Sequence, residues 1–212
     1  MRSDARRNLE RLNEAAVQVF RERGLGAPLE EIARAAGVSA GTLYNRFGGR
    51  DALIDAVMPD LLEARIRDAL ELAQAAEDPW EGFTRYVTWL CELQATDPAM
   101  RDAVSLRYPD ATRLTELCDA QMRNAAGVIE RAKRAGALRP DFAVEDLSFV
   151  LWSMANIVRA TATVAPDAWR RALAFQLDGL RADKRSPVPA TPPLTPDQVH
   201  AAMIGLSRRG KG

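Results

Sequence analysis

Ser39, Ala40, Gly41, Thr42, Tyr44, Asn45 and Arg46 fall within one short run, and their types suit contact with a nucleic acid. Ser39, Thr42 and Tyr44 carry hydroxyls that can donate to phosphate oxygens, and Gly41, beside the small Ala40, lets a backbone come close. Asn45 and Arg46 carry groups that pair with base edges, asparagine best with adenine and arginine with guanine. Arg50 opens the next segment and would hold a further phosphate. Each residue also has a plainer reading, with Arg46 solvated and Tyr44 packed between helices.

Two helices and a tight turn must position this run. Leu29, Ile32, Ala33 and Ala36 recur at three and four spacing, so they share one helical face. Gly37 follows where a left-handed residue ends a helix, a conformation only glycine adopts cheaply. Ser39 then serves as the N-cap of a second helix, and Val38 tucks under the turn. Leu43 and Phe47 give that second helix its inward face. A bend at Gly37 with the small Ala33 before it and the apolar Leu43 after it suits a helix-turn-helix, whose second helix enters a DNA major groove. An ordinary pair of bundle helices is the competing reading of the same spacing.

The surrounding residues favour the first. The run EEIARAAGVSAGTLYNRFGGRDALIDAV, with the VFRERG ending of the preceding helix, resembles the tetracycline-repressor (TetR) family of bacterial transcription regulators. The family pattern is IA-x-x-AGVS-x-G-T-x-Y-x-x-F, then a small residue, a basic residue and another amphipathic helix. Two positions depart from it. Ala27-Pro28 replaces a Thr-rich entry to the second helix, and Gly49-Arg50 stands where Ser-Lys is common. Pro28 is acceptable at a helix start, where no N–H is needed, so the departure touches one hydroxyl–phosphate contact and not the fold. The resemblance implies a homodimer that binds a double-stranded DNA operator and releases it on binding a small-molecule effector. It further implies that the last two body helices build a four-helix dimer interface with their symmetry mates.

Composition sets wider bounds. At 212 residues the chain can bury a full core. No apolar run approaches the ~20 residues of a membrane span, and the charged segment Met1 to Arg11 does not read as a secretory leader. Cys91 and Cys118 are far apart and lack metal-ligand spacing. They read as small core residues, with redox sensing a minor alternative, and a reduced cytoplasmic setting fits. Net charge is zero but uneven: residues 1–50 hold nine arginines against six acids, residues 51–180 fourteen basic against twenty-one acidic, and residues 181–212 six against two. A basic end on an acidic middle is expected if only the first part meets phosphate.

The pattern predicts an all-α fold: a three-helix head over residues 1–50, a helical effector-binding and dimerisation body over 51–182, and a Pro-rich, disordered or linker-like tail over 183–212. Helix 1 is expected from Asp4 to Arg23, with Arg2, Arg6 and Arg7 free to reach the DNA backbone or solvent. A fourth helix from Asp51 should kink or break early at Pro59. Further helices are expected from Trp80 to Asp97, Ala99 to Arg107, Thr112 to Ala135, Val144 to Thr163 and Pro166 to Arg181. The first of the last two is apolar nearly all round and needs covering on all sides. In the tail, Thr195 to Leu206 has the apolar spacing of a short amphipathic helix.

Within the body, Trp80, Phe83, Tyr86, Trp89, Met122 and Trp152, with Asn156 as a polar handle, suit a pocket for a small, mostly apolar effector. The same aromatic spacing equally suits plain core. Catalysis finds no support. His200 is the only histidine, which excludes a histidine triad or a multi-histidine metal site, and no Gly-rich phosphate loop occurs. No cofactor or metal is expected. The remaining alternative is a helical ligand-binding protein without specific DNA binding, in which loss of Tyr44 and Arg46 would be expected; both are present.

Overall fold

The computed structural model of the chain describes residues 2–184 and 191–209, and side chains within 7–183 and 191–207. Arg2 and Arg6 lie outside the described side chains; Arg7 is exposed. The described residues form α-helices joined by short loops, with one isolated bridge between Leu138 and Arg181. The fold is all-α.

Three helices make the head. They are α1 (Arg2–Arg23), α2 (Leu29–Ala36) and α3 (Ala40–Phe47). Leu12, Ala16, Val19 and Phe20 of α1 are buried with Ile32, Ala33 and Ala36 of α2 and Leu43 of α3, so the apolar stripes read from the sequence do meet. The proline in the next segment divides it into α4 (Arg50–Val57) and α5 (Pro59–Ala75). The interruption is confined to Met58, which stays right-handed at φ −88°, ψ −34°. Met58 N–H donates to Ile54 O and Leu62 N–H to Met58 O, both at 2.9 Å. Pro59 sits where a helix start has no use for an N–H, which is why the path continues.

The body follows with α6 (Pro79–Thr96), α7 (Pro98–Ser105), α8 (Thr112–Arg134), α9 (Leu147–Thr161) and α10 (Ala168–Leu180). An Asp-Pro pair starts both α6 and α7. Asp78 caps Trp80 and Glu81, and Asp97 caps Ala99 and Met100, each proline filling the first helical position. α7 stops at Ser105 rather than Arg107. The start expected for α9 at Val144 is a 3₁₀ turn, Val144–Asp146. Arg131 of α8 donates to the carbonyls of Ala73, Ala76 and Glu77, satisfying the open end of α5. Trp169, Phe83 and Ile129 are among the largest fully buried side chains.

In the tail, the stretch with amphipathic spacing, Thr195 to Leu206, is helical from Pro196. A last helix, α11 (Pro196–Arg209), lies against the body. Its Val199, Met203 and Ser207, four apart, are buried, and Arg107 N–H donates to Met203 O at 3.4 Å. The Pro-rich residues 185–190 lie outside the described range. Met203→Asp would place a charge in this buried seam, so α11 is expected to undock alone. Amide exchange should rise roughly 10-fold across α11 while the rest of the chain keeps its protection.

Candidate nucleic-acid interface and body cavities

The geometry of α3 begins with its caps. Gly37 has φ 69° and ψ 32°, its N–H donates to Arg34 O at 3.1 Å, and Val38 N–H reaches back to Ala33 O at 2.9 Å. This paired closure ends α2 with its last carbonyls satisfied. Ser39 Oγ then accepts from Thr42 N–H at 3.1 Å and lies 2.9 Å from Thr42 Oγ1. Leu43 is fully buried and Phe47 half-buried. Ser39, Ala40, Gly41, Thr42, Tyr44, Asn45 and Arg46 are all exposed, Tyr44 at 60%. An exposed tyrosine beside exposed Asn45 and Arg46 leaves one polar surface on a helix whose opposite side is anchored by Leu43.

Arg50 is placed differently. Its Nη1 donates to Leu25 O at 3.0 Å and to Ala27 O, so the guanidinium is engaged in holding the loop between α1 and α2. This internal role stands beside the phosphate contact expected of it, since two converging carbonyls offer a cation a fixed partner.

That loop is also held from the body. Gly24 turns it with φ 82°, and a Cβ built there would stand 2.5 Å from Asp102 Oδ2. The same Oδ2 accepts from Leu25 N–H at 2.8 Å. Asp97, besides capping α7, accepts from Arg21 Nε at 3.1 Å. On the other side Leu114 N–H donates to Asp55 Oδ1 at 2.8 Å, and Arg113 pairs with Asp60 at 3.2 Å. Asp97 at the N-cap of α7 and Asp102 within it therefore fasten the end of α1 and the loop after it to the body. Sequence reasoning missed both as joint residues; their partners stand more than seventy residues away. Burial pushes the Asp102 carboxyl above the ordinary carboxylate range, opposed in part by the Leu25 N–H and the nearby Arg101 and Arg159.

The body residues expected to line one pocket are dispersed instead. Trp80 and Phe83 join Phe142 in an aromatic cluster, with ring centroids 5.7 and 6.0 Å apart, and Phe83 is fully buried. Arg181 lies over Trp80 at 4.9 Å. Trp89 Nε1 donates to Arg65 O at 3.0 Å, tying α6 to α5. Phe83 is part of the buried core, and Trp80 and Trp89, half-buried, pack against it. Tyr86 and Met122 border a void of about 50 Å3 under α11, together with Leu90, Leu151, Ser148 and Met203. Met122 also lines a crevice of about 400 Å3 between α8 and α11, with Val144, Val199 and Met203. Trp152 and Asn156 line a different cavity, at the joint. Cys91 and Cys118 are buried; desolvation pushes the Cys91 thiol up to about 12 and raises Cys118, which makes both poor nucleophiles. No group of three or more metal-ligating side chains occurs among the described residues.

Comparison with known proteins agrees with the head. Residues 12–57 match the model of bacterial regulatory proteins of the TetR family, and residues 78–182 match the C-terminal domain of SbtR-like transcriptional regulators. The chain belongs to the TetR family. Together the two matches take in most of its length. It is 29% identical over 130 residues to the HTH-type transcriptional regulatory protein RaaS of Mycobacterium tuberculosis, a match spanning 61% of this chain and 59% of that protein. It is 28% identical over 185 residues to the HTH-type transcriptional repressor KstR2 of Rhodococcus jostii, spanning 80% and 89%. Among solved structures, FadR of Bacillus subtilis in complex with stearoyl-CoA shares the fold with a TM-score of 0.60 at 16% identity, over 80% of this chain and 97% of that one. This TetR-family chain is a transcriptional regulator and not an enzyme. No described helix is long and apolar enough to cross a membrane.

Proposed function

We propose that this TetR-family regulator is a homodimeric repressor that holds a double-stranded DNA operator through α3 and is released by a small, mostly apolar effector bound in its body. The observation that carries the reading is the exposed set Ser39, Ala40, Gly41, Thr42, Tyr44, Asn45 and Arg46 on a short helix capped at both ends. Two such helices, related by a dimer axis, would enter major grooves about one helical turn apart.

Phe149 on α9 and Phe175 on α10 are 49% and 63% exposed. Large apolar side chains left open on two adjacent helices favour a second copy covering them. The effector site we infer is the region beneath α11, where the crevice of about 400 Å3 and the smaller void share Met122 and Met203. Its lining is largely apolar, and Ser148 Oγ, buried at its edge, has no hydrogen-bond partner among the described residues. A ligand hydroxyl or carbonyl would satisfy that group. The repressor sign is supported by the similarity to KstR2 of Rhodococcus jostii, itself a transcriptional repressor.

A salt titration of binding to DNA from just upstream of the protein's own coding region tests the reading, with a random duplex as control. Tight binding to the upstream fragment that falls steeply with salt is the expected result. Equal, weak binding to both, repeated across a randomised duplex selection, would overturn specific DNA recognition and leave a helical ligand-binding protein.

A further inference from the structure

A cavity of about 540 Å3 lies where the α1–α2 loop, α7, α9 and α11 meet, a volume within the range that takes small organic molecules. The described residues lining it include four arginines, Arg23, Arg50, Arg101 and Arg159, against a single carboxylate, Asp102. Two of these cations are engaged nearby. Arg50 holds the loop carbonyls, and Arg23 Nε stands 3.4 Å from Glu31 Oε2. The other two are poorly compensated. Arg101 Nε is 3.8 Å from Asp102 Oδ1, too long for a hydrogen bond, and the other oxygen of Asp102 already accepts from Leu25. Arg159 donates to the amide oxygen of Asn156 at 2.6 Å and has no carboxylate within ion-pair distance among the described residues.

Cations gathered in a half-enclosed site in excess of their counter-charge raise the local potential and draw an anion. Guanidinium groups match the planar fork of a carboxylate and the oxygens of a phosphate. Beside them, Trp152 has given its indole N–H to Ser105 O at 3.2 Å, so its contribution to the cavity is apolar ring area, and Leu206 of α11 adds more. We propose that this cavity binds a small organic anion, with a carboxylate or phosphate head on Arg101 and Arg159 and an apolar body against Trp152 and Leu206. Asp102 lies between Arg101 and Leu25, so an anion that engages Arg101 acts on the carboxylate that fastens the loop before α2. That last consequence rests on the proposed operator-binding role of α3; the binding itself does not.

Isothermal titration of the full-length protein, without DNA, separates the two. The probes are benzoate, 2-naphthoate and octanoate, the phosphate monoesters of the same three bodies, and the corresponding neutral amides. At least one anion is expected to bind 10-fold or more tightly than its amide, with a preference that weakens as salt rises. Arg159→Gln and Arg101→Gln, each checked for an unchanged melting temperature, should reduce that preference to threefold or less. Carboxylate and phosphate arms tell which head is taken. Anions no tighter than their amides, or a preference that survives in both variants, would overturn the proposal while leaving the operator experiment untouched.

Discussion

Tyr44→Ala together with Arg46→Ala is expected to reduce operator affinity by at least 100-fold without changing the melting temperature. Both side chains are exposed and neither makes a described contact on which the head depends, so removing them should leave the α1–α3 core intact. At the DNA the loss has two parts. A single arginine base contact is worth about 1–3 kcal/mol of discrimination, and a dimer makes it twice. The two variants should also be separable. If Arg46 reads a base, Arg46→Ala relaxes specificity at one position of each half-site, while Tyr44→Ala weakens all sequences alike. Binding isotherms over a set of single-substituted operators, at two salt concentrations, make the measurement. Unchanged affinity with an intact fold would remove α3 from the role assigned to it.

The helix α3 was legible in the sequence because everything that shapes it is local. Gly37 and Ser39 act on residues at most a few positions away, and Leu43 needs only the helical period to be placed inside. The proposed effector region was less legible for a physical reason. Trp80, Phe83, Tyr86 and Trp89 sit at one helical spacing, yet whether each fills core, ties two helices or borders a void depends on the α5, α8 and α11 surfaces that meet them. Phe142, which completes the cluster around Phe83, comes from a loop about sixty residues later. Arg50 shows the same limit. Its type and position resemble a phosphate contact, but the carbonyls of Leu25 and Ala27 converge on it only once α1 and α4 have packed. The docking of α11 was undecidable from its own pattern, since the amphipathic spacing states that a face must be buried and not where.

The joint between head and body makes the second large prediction. Asp102→Ala would leave the Leu25 N–H without its acceptor in a place where Leu25 is fully buried. An orphaned buried donor costs about 1–3 kcal/mol, and one that had a charged acceptor lies toward the upper end. Loss of about 2–3 kcal/mol, or roughly 5–10 °C in melting temperature for a chain of this size, is therefore expected. Asp102→Asn should lose less than half of that, because the amide oxygen can still accept while the cost of burying a charge disappears.

The pH dependence distinguishes these effects. Burial raises the folded Asp102 carboxyl above its unfolded value, so the folded state binds its proton more readily. Its contribution to stability is full below the unfolded pKa and is lost as pH rises through the folded one. Wild type should accordingly gain on Asp102→Asn as pH falls from 7 toward the ordinary carboxylate range, and chemical denaturation of the pair across that window measures the difference. A gap that stayed constant or widened in favour of Asn would mean that the carboxyl is not desolvated as described. Function should follow the same bond. With that bond lost in Asp102→Ala, α2 and α3 are coupled less tightly to α7, so an effector that binds the body should release operator less effectively even where its own affinity is retained. Linkage requires that loss to appear in both directions, as weaker antagonism of effector by DNA and of DNA by effector.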